Sequence, residues 1–107
     1  MKSNGIERIR GMIGFARRAG KAVIGTELVC RAMPKGKVKL VVISNAASDA
    51  TKKKLTVKSD FYGIKSIEAE IDTESLGKIL GKSGAVAAVA IEDDRFAEEI
   101  IKAAVSE

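Results

Sequence analysis

The chain has 107 residues, 46% of them apolar and 31% charged, with one cysteine and no histidine. That is enough apolar material for a single core, and it excludes a disordered tail, an internal disulfide, the usual zinc sites and the Cys-His and Ser-His catalytic pairs. The net charge of +5 is unevenly placed: residues 1–65 hold fifteen Lys and Arg against four acids, a surplus of +11, whereas residues 66–107 hold four against ten, or −6.

The asymmetry leaves two readings open: one basic face suited to a polyanion, or lysines that merely solvate helix faces. No stretch approaches the ~20 apolar residues of a membrane span. The opening MKSNGIERIRG lacks the apolar centre of a signal peptide, so the expected compartment is the cytoplasm.

In residues 4–19 the apolar positions Ile6, Ile9, Ile13 and Ala16 fall at helical spacing, with Met12 and Phe15 widening the stripe. Ser3 or Asn4 is the expected cap and Gly20 the stop, while Gly11 and Gly14 suggest close packing against a neighbour. Lys21 to Ile24 suits a short strand. Gly25 and Thr26 then open a second helix, with Thr26 as the expected cap, that continues to about Met33 ahead of Pro34 and Gly36.

Lys39 to Ser44 is nearly all apolar and reads as a strand covered on both faces. A third helix starts at Ser48 or Asp49, faces Leu55 and Phe61 to the core, and ends at Gly63. Ser66 to Ile71 alternates like an edge strand. Thr73 is expected to cap a short helix through Leu80, Ala85 to Ile91 reads as a central strand, and Asp93 or Asp94 caps the last helix. Alternating helices and strands predict a three-layer α/β/α sandwich with one domain over residues 1–107.

Three motifs could carry chemistry. Gly81-Lys82-Ser83-Gly84 has the GK pair of a phosphate-binding P-loop, but Leu76 stands where the loop needs its first glycine, and the segment follows a helix. It is either an amide-rich loop touching RNA or a plain turn. Glu92-Asp93-Asp94 is better explained by helix capping than by a metal, and Cys30 as a small core residue than as a nucleophile.

Gly25 to Arg31 is the more informative stretch. Gly25 permits close backbone approach, Thr26 brings a hydroxyl, and Glu27 a carboxylate able to accept from a guanine edge. Arg31 lies one turn on, so Glu27 and Arg31 either face one ligand together or form an ordinary i,i+4 ion pair.

The run Gly11-Met12-Ile13-Gly14-Phe15-Ala16-Arg17-Arg18-Ala19-Gly20-Lys21, then Val23-Ile24-Gly25-Thr26-Glu27 and KLVVISNAASDATKKKL, resembles the bacterial YlxQ-type proteins. These belong to the L-seven-Ae / L-thirty-e superfamily of kink-turn RNA-binding ribosomal proteins. The resemblance implies an α/β/α sandwich with a mixed four-stranded sheet. It also implies an RNA surface where the Gly25 helix begins, beside the loop before the last strand.

Gly25 and Arg31 match the superfamily motif, whereas Glu27 and Leu28 stand where archaeal relatives carry Asn and Glu. Asn45 falls where relatives place a polar residue near RNA, and Lys82, Ser83 and Gly84 occupy the loop. With Arg17, Lys21 and Lys35 as phosphate contacts, these residues form the expected site. The scarcity of aromatics argues against a broad base-stacking platform.

The expected function is thus a non-enzymatic, ribosomal-protein-like binder of structured RNA, such as a kink-turn in rRNA or another RNA, acting in translation without cofactor, metal or small-molecule substrate. The alternative is a protein-interaction module that docks on the ribosome or the transcription and translation machinery through the acidic C-terminal face.

Overall fold

The apolar runs pair into one sheet, and that sheet positions everything else. In the computed structural model the described residues are 2–105, with side chains described from residue 5. In order they form α1 (Lys2–Arg18), β1 (Ala22–Ile24), α2 (Thr26–Ala32) leading into a 3-10 turn (Met33–Lys35), and β2 (Leu40–Ser44). Then follow α3 (Asp49–Phe61), β3 (Lys65–Ala69), α4 (Thr73–Ile79), β4 (Ala88–Ile91) and α5 (Asp94–Val105).

The sheet order is β1-β4-β2-β3. β4 runs antiparallel to both β1 and β2, with Ala22 opposite Ile91 and Val42 opposite Val89, whereas β2 and β3 are parallel. The expected mixed four-stranded α/β/α sandwich is therefore the observed one, with β3 at an edge.

All five residues of β2 and all four of β4 are buried, as inner strands covered on both faces must be. Their period-two alternation divides the core. Leu40, Val42, Val89 and Ile91 point to the layer of α1, α4 and α5, where Ile9, Ile13, Leu76, Leu80 and Ile100 complete the packing. Val41, Ile43, Ala88 and Ala90 point to α2 and α3, against Val29, Met33 and Leu55. Cys30 is buried in this second cluster as a small core residue.

α1, α3 and α4 stop in the same way. The second residue beyond each helix is a left-handed glycine, Gly20, Gly63 or Gly81, and the following N–H reaches back five residues: Lys21 to Ala16, Ile64 to Ser59 and Lys82 to Gly77, each at 2.8 Å. Gly81-Lys82 is thus a helix terminator rather than the start of a phosphate cradle.

Several local expectations are corrected. α1 already begins at Lys2, so Ser3 and Asn4 fall inside it; their side chains lie outside the described residues. Phe15 is exposed with the Arg18 guanidinium 4.9 Å from its ring centre. Gly11 meets nothing, and a Cβ on Gly14 would only graze Ile79 at 4.0 Å, so neither marks a tight crossing.

The cap of α2 is Gly25, not Thr26, and the cap of α4 is Asp72, not Thr73, since an Asp72 carboxylate oxygen accepts the Ser75 N–H at 2.7 Å. Phe61 is 79% exposed. Six residues after Leu55 it lies about 240° around the helix, so Ser59, four residues on, takes the buried place instead. The last strand begins at Ala88 because the preceding stretch folds over α4, with the Val86 N–H bound to the Thr73 carbonyl. Asp93 caps α5 through the Phe96 N–H, as expected.

Two carboxylates tie stability to pH. The Ser75 backbone N–H, helped by its side chain and by Arg10, holds Asp72 below its ordinary 3.8. The Arg8 hydrogen bond at 2.6 Å, which joins α1 to α5, holds Glu99 below its ordinary 4.5. In both, burial pulls weakly the other way. Because the folded values are depressed, their contribution is complete above the unfolded values and is lost as pH falls through the folded ones. The thermal midpoint should stay level from neutrality to about pH 5 and decline below it, with a shallower decline in Asp72→Asn/Glu99→Gln, as scanning calorimetry across pH will measure. An equal slope in the double variant would remove these two groups from the account.

Candidate nucleic-acid interface

Two backbone hydrogen bonds assemble one end of the sheet. The Gly25 N–H donates to the Ala88 carbonyl at 2.9 Å, and the Ser44 N–H donates to the Ala87 carbonyl at 2.8 Å. They bring together the start of α2, the turn after β2 and the end of the loop before β4.

The turn after β2 is fixed from inside. Ser44, 1% exposed, donates its hydroxyl to the Ile71 carbonyl at 2.6 Å and accepts the Ala46 N–H at 3.1 Å. The Asn45 N–H donates to the Ala69 carbonyl at 2.9 Å, leaving the Asn45 side chain exposed. Ser44 was not among the expected site residues; its signal is a polar residue ending an otherwise apolar strand.

Gly25 turns the chain with φ 100 and ψ 147, a conformation essentially confined to glycine. Its carbonyl accepts the Val29 N–H, the first bond of α2, and no side chain caps the helix. The N–H groups of Thr26, Glu27 and Leu28 precede that first bond.

Along α2, Val29, Cys30 and Ala32 face inward while Glu27, Leu28 and Arg31 face solvent. Leu28 is 53% exposed, a large apolar side chain flanked by the two charged ones. Glu27 and Arg31 pair at 3.9 Å with both side chains largely exposed, so the pair is loose and each partner can turn to a ligand.

The loop before β4 is seated by a glycine that sequence reasoning did not single out. Gly77, buried in α4, lies so close to the Gly84 carbonyl that any Cβ there would collide with it. Lys82, Ser83 and Gly84, with Glu74, Lys78 and Ala85, border a shallow cleft of about 340 Å³. The Arg17 guanidinium lies against Gly81, where a Cβ would come within 2.5 Å of it.

The expected site residues therefore divide. Gly25, Thr26, Glu27 and Asn45 share the assembled end, and Arg31 stands one turn along the exposed face of α2. Lys82, Ser83 and Gly84, with Ala85 and Val86, fold back over α4, and only Ala87 and Ala88 bond at the Gly25 end. Arg17 reaches the same loop. Lys21 lies at the opposite end of β1, about 13 Å from Gly25 at ~3.3 Å per residue, where its carbonyl accepts the Glu92 N–H. Lys35, in the 3-10 turn beyond α2, is also remote from the helix start.

The chain is similar to known proteins in sequence and in overall fold. The profile of the ribosomal protein L7Ae/L30e/S12e/Gadd45 family matches residues 7–101. The RNA-binding protein YlxQ of Bacillus subtilis (strain 168) is 36% identical over 92 residues, covering 84% of this chain and 88% of that protein. The RNA-binding protein YlxQ of Enterococcus faecium is 33% identical over 99 residues, covering 92% and 93%.

Among solved structures, a protein of unknown function from Bacillus halodurans superposes with a TM-score of 0.82 at 29% identity, over 90% of this chain and 95% of that one. The Giardia lamblia 15.5kD RNA binding protein superposes with a TM-score of 0.77 at 14% identity, over 94% and 84%, a likeness of fold. The profile match over nearly the whole chain, together with two relatives above 30% identity, means that the chain belongs to the ribosomal protein L7Ae/L30e/S12e/Gadd45 family.

Proposed function

We propose that this protein binds structured RNA, a kink-turn or a similarly bent element, and is not an enzyme. The reading rests on one observation above all: the Gly25–Ala88 and Ser44–Ala87 bonds gather three backbone segments at a single sheet end, beside the exposed Asn45, Glu27 and Leu28. The RNA-binding relatives named above support it.

A bent RNA offers phosphates on both sides of the bend and splayed base edges within it. The first-turn N–H groups of α2 suit a phosphate or carbonyl oxygen, Glu27 suits the amino and imino edge of a guanine, and Arg31 a phosphate. Leu28 adds an apolar contact for a base face. Arg17, with Lys82 on the loop over α4, extends the basic surface along one flank, and Lys21 and Lys35 contribute field rather than contact. Ribosomal or other cytoplasmic RNA concerned with translation is the expected source.

Calorimetric titration with a kink-turn RNA and with a straight duplex of the same composition tests this. The kink-turn should bind at least tenfold more tightly, Arg31→Ala should weaken both RNAs and flatten the salt dependence, and Glu27→Ala should reduce the preference between them. If no structured RNA binds, or if binding ignores both substitutions, the site is elsewhere.

A further inference from the structure

Among the described residues nothing packs on the outer face of α3, which exposes two large apolar side chains, Val57 and Phe61. Ala50, Lys53, Lys54, Val57, Lys58 and Phe61 follow one another at helical spacing, opposite the inward Leu55 and Ser59. Val57 is 58% exposed and Phe61 79%. Tyr62 packs its ring edge-on to Phe61, with ring centres 4.9 Å apart, so the aromatic pair is already arranged. Together these residues border a shallow groove, wide open to solvent, of about 740 Å³. Tyr62 also borders a second depression of about 480 Å³, with Pro34, Gly36 and Lys39.

The rim is basic. Lys52 pairs with Glu68 at 3.5 Å, but among the described residues no carboxylate pairs with Lys53, Lys54 or Lys58. We infer that this groove docks an amphipathic helix of a protein partner, an apolar seam laid over Val57 and Phe61 with acidic flanks against Lys53, Lys54 and Lys58. A contiguous apolar strip with an aromatic anchor marks a protein interface, and a lysine border selects an acidic partner.

Single-stranded RNA fits the groove less well. The Phe61 and Tyr62 rings stand at 89°, so they offer no pair of parallel platforms, and Ala50 and Val57 present no π face for a base. Phe61 lies twelve residues from the start of α3, about 18 Å along its axis at ~1.5 Å per residue, so an occupant anchored on Val57 and Phe61 sits toward the end of α3 that is remote from the turn after β2. The protein would then join an RNA to a second protein. The inference stands apart from the RNA reading and can fail without it.

A display library of helical peptides selected on the full chain, with Phe61→Ser used for counter-selection, tests the proposal. Enriched peptides should carry aliphatic or aromatic residues at i, i+3 or i+4 and i+7 with Asp or Glu alongside. Their affinity should fall at least tenfold for Phe61→Ser and for Lys54→Glu/Lys58→Glu, and peptides with reversed flanking charge should recover binding to the charge-reversed protein. Kink-turn binding should be unchanged in Phe61→Ser, whose exposed position leaves the core intact. The proposal is overturned if nothing is enriched, or if enriched peptides bind Phe61→Ser equally. It is also overturned if Phe61→Ser abolishes binding of an oligouridylate, which would give the groove to RNA, or self-association seen in sedimentation, which would give it to a second copy.

Discussion

Replacing Gly77 with alanine is expected to destabilise the protein by about 2 kcal/mol, even though alanine is the better helix former by about 1 kcal/mol. A Cβ at this position collides with the Gly84 carbonyl oxygen and touches Val86. The obstruction is backbone, which cannot swing aside as a long side chain can. Relief requires the loop before β4 to lift from α4, which breaks the Val86 N–H bond to the Thr73 carbonyl at 3.0 Å and uncovers buried Val86.

Gly11→Ala provides the contrast within the same protein. That glycine is also inside a helix, but a Cβ there meets nothing within 4 Å, so the substitution should stabilise by about 1 kcal/mol. Urea denaturation of the two variants should therefore give shifts of opposite sign. Gly77→Ala should also weaken RNA binding, because the displaced loop feeds Ala87 and Ala88 into the assembled sheet end. Equal, favourable shifts in both variants would show that the loop is not held by its approach to Gly77.

The contrast also shows what the sequence could and could not reveal. The β2 run KLVVIS and the β4 run within AVAAVAI were legible because a strand buried on both faces leaves an unbroken apolar segment. The order in which the strands pair was not, since the insertion of β4 between β1 and β2 depends on contacts such as Gly25 to Ala88, sixty-three residues apart. Gly77 reads locally as a helix-weakening residue; its reason for being glycine arrives seven residues later, when the chain folds back. Phe61 has the apolarity of a core residue but the wrong helical phase for one, and a buried serine, Ser59, holds the inward position.

For the site, the residue types were legible and their distances were not. Gly25, Thr26, Glu27 and Arg31 are neighbours in sequence and stay neighbours in space. Lys21 and Lys35 are equally close in sequence, yet β1 and α2 each run the length of the sheet and carry them to its other end. Asn45 joins Gly25 only through the pairing of β4 with both flanking strands.

Gly25→Ala is expected to cost about 1–3 kcal/mol in stability and at least a factor of ten in RNA affinity. The space for a methyl group is open, so crowding has no part in the effect. The cost lies in the backbone, whose φ of 100 an L-residue adopts only under strain. Alanine can keep that conformation and bear the strain, or rotate out of it. Rotation disturbs the N–H bond to Ala88 and the carbonyl that starts α2 at Val29, each at 2.9 Å. Either outcome lowers the thermal midpoint, by roughly 4–8 °C for each kcal/mol in a domain of this size. Only rotation re-aims the N–H groups of Thr26, Glu27 and Leu28 together with the exposed Glu27-Leu28-Arg31 face. Titration with kink-turn RNA well below the transition separates the two effects, since the chain is then folded and any loss of affinity reports the altered helix start. Full affinity in a destabilised Gly25→Ala protein would leave Gly25 a purely structural residue and move the RNA contact off the beginning of α2.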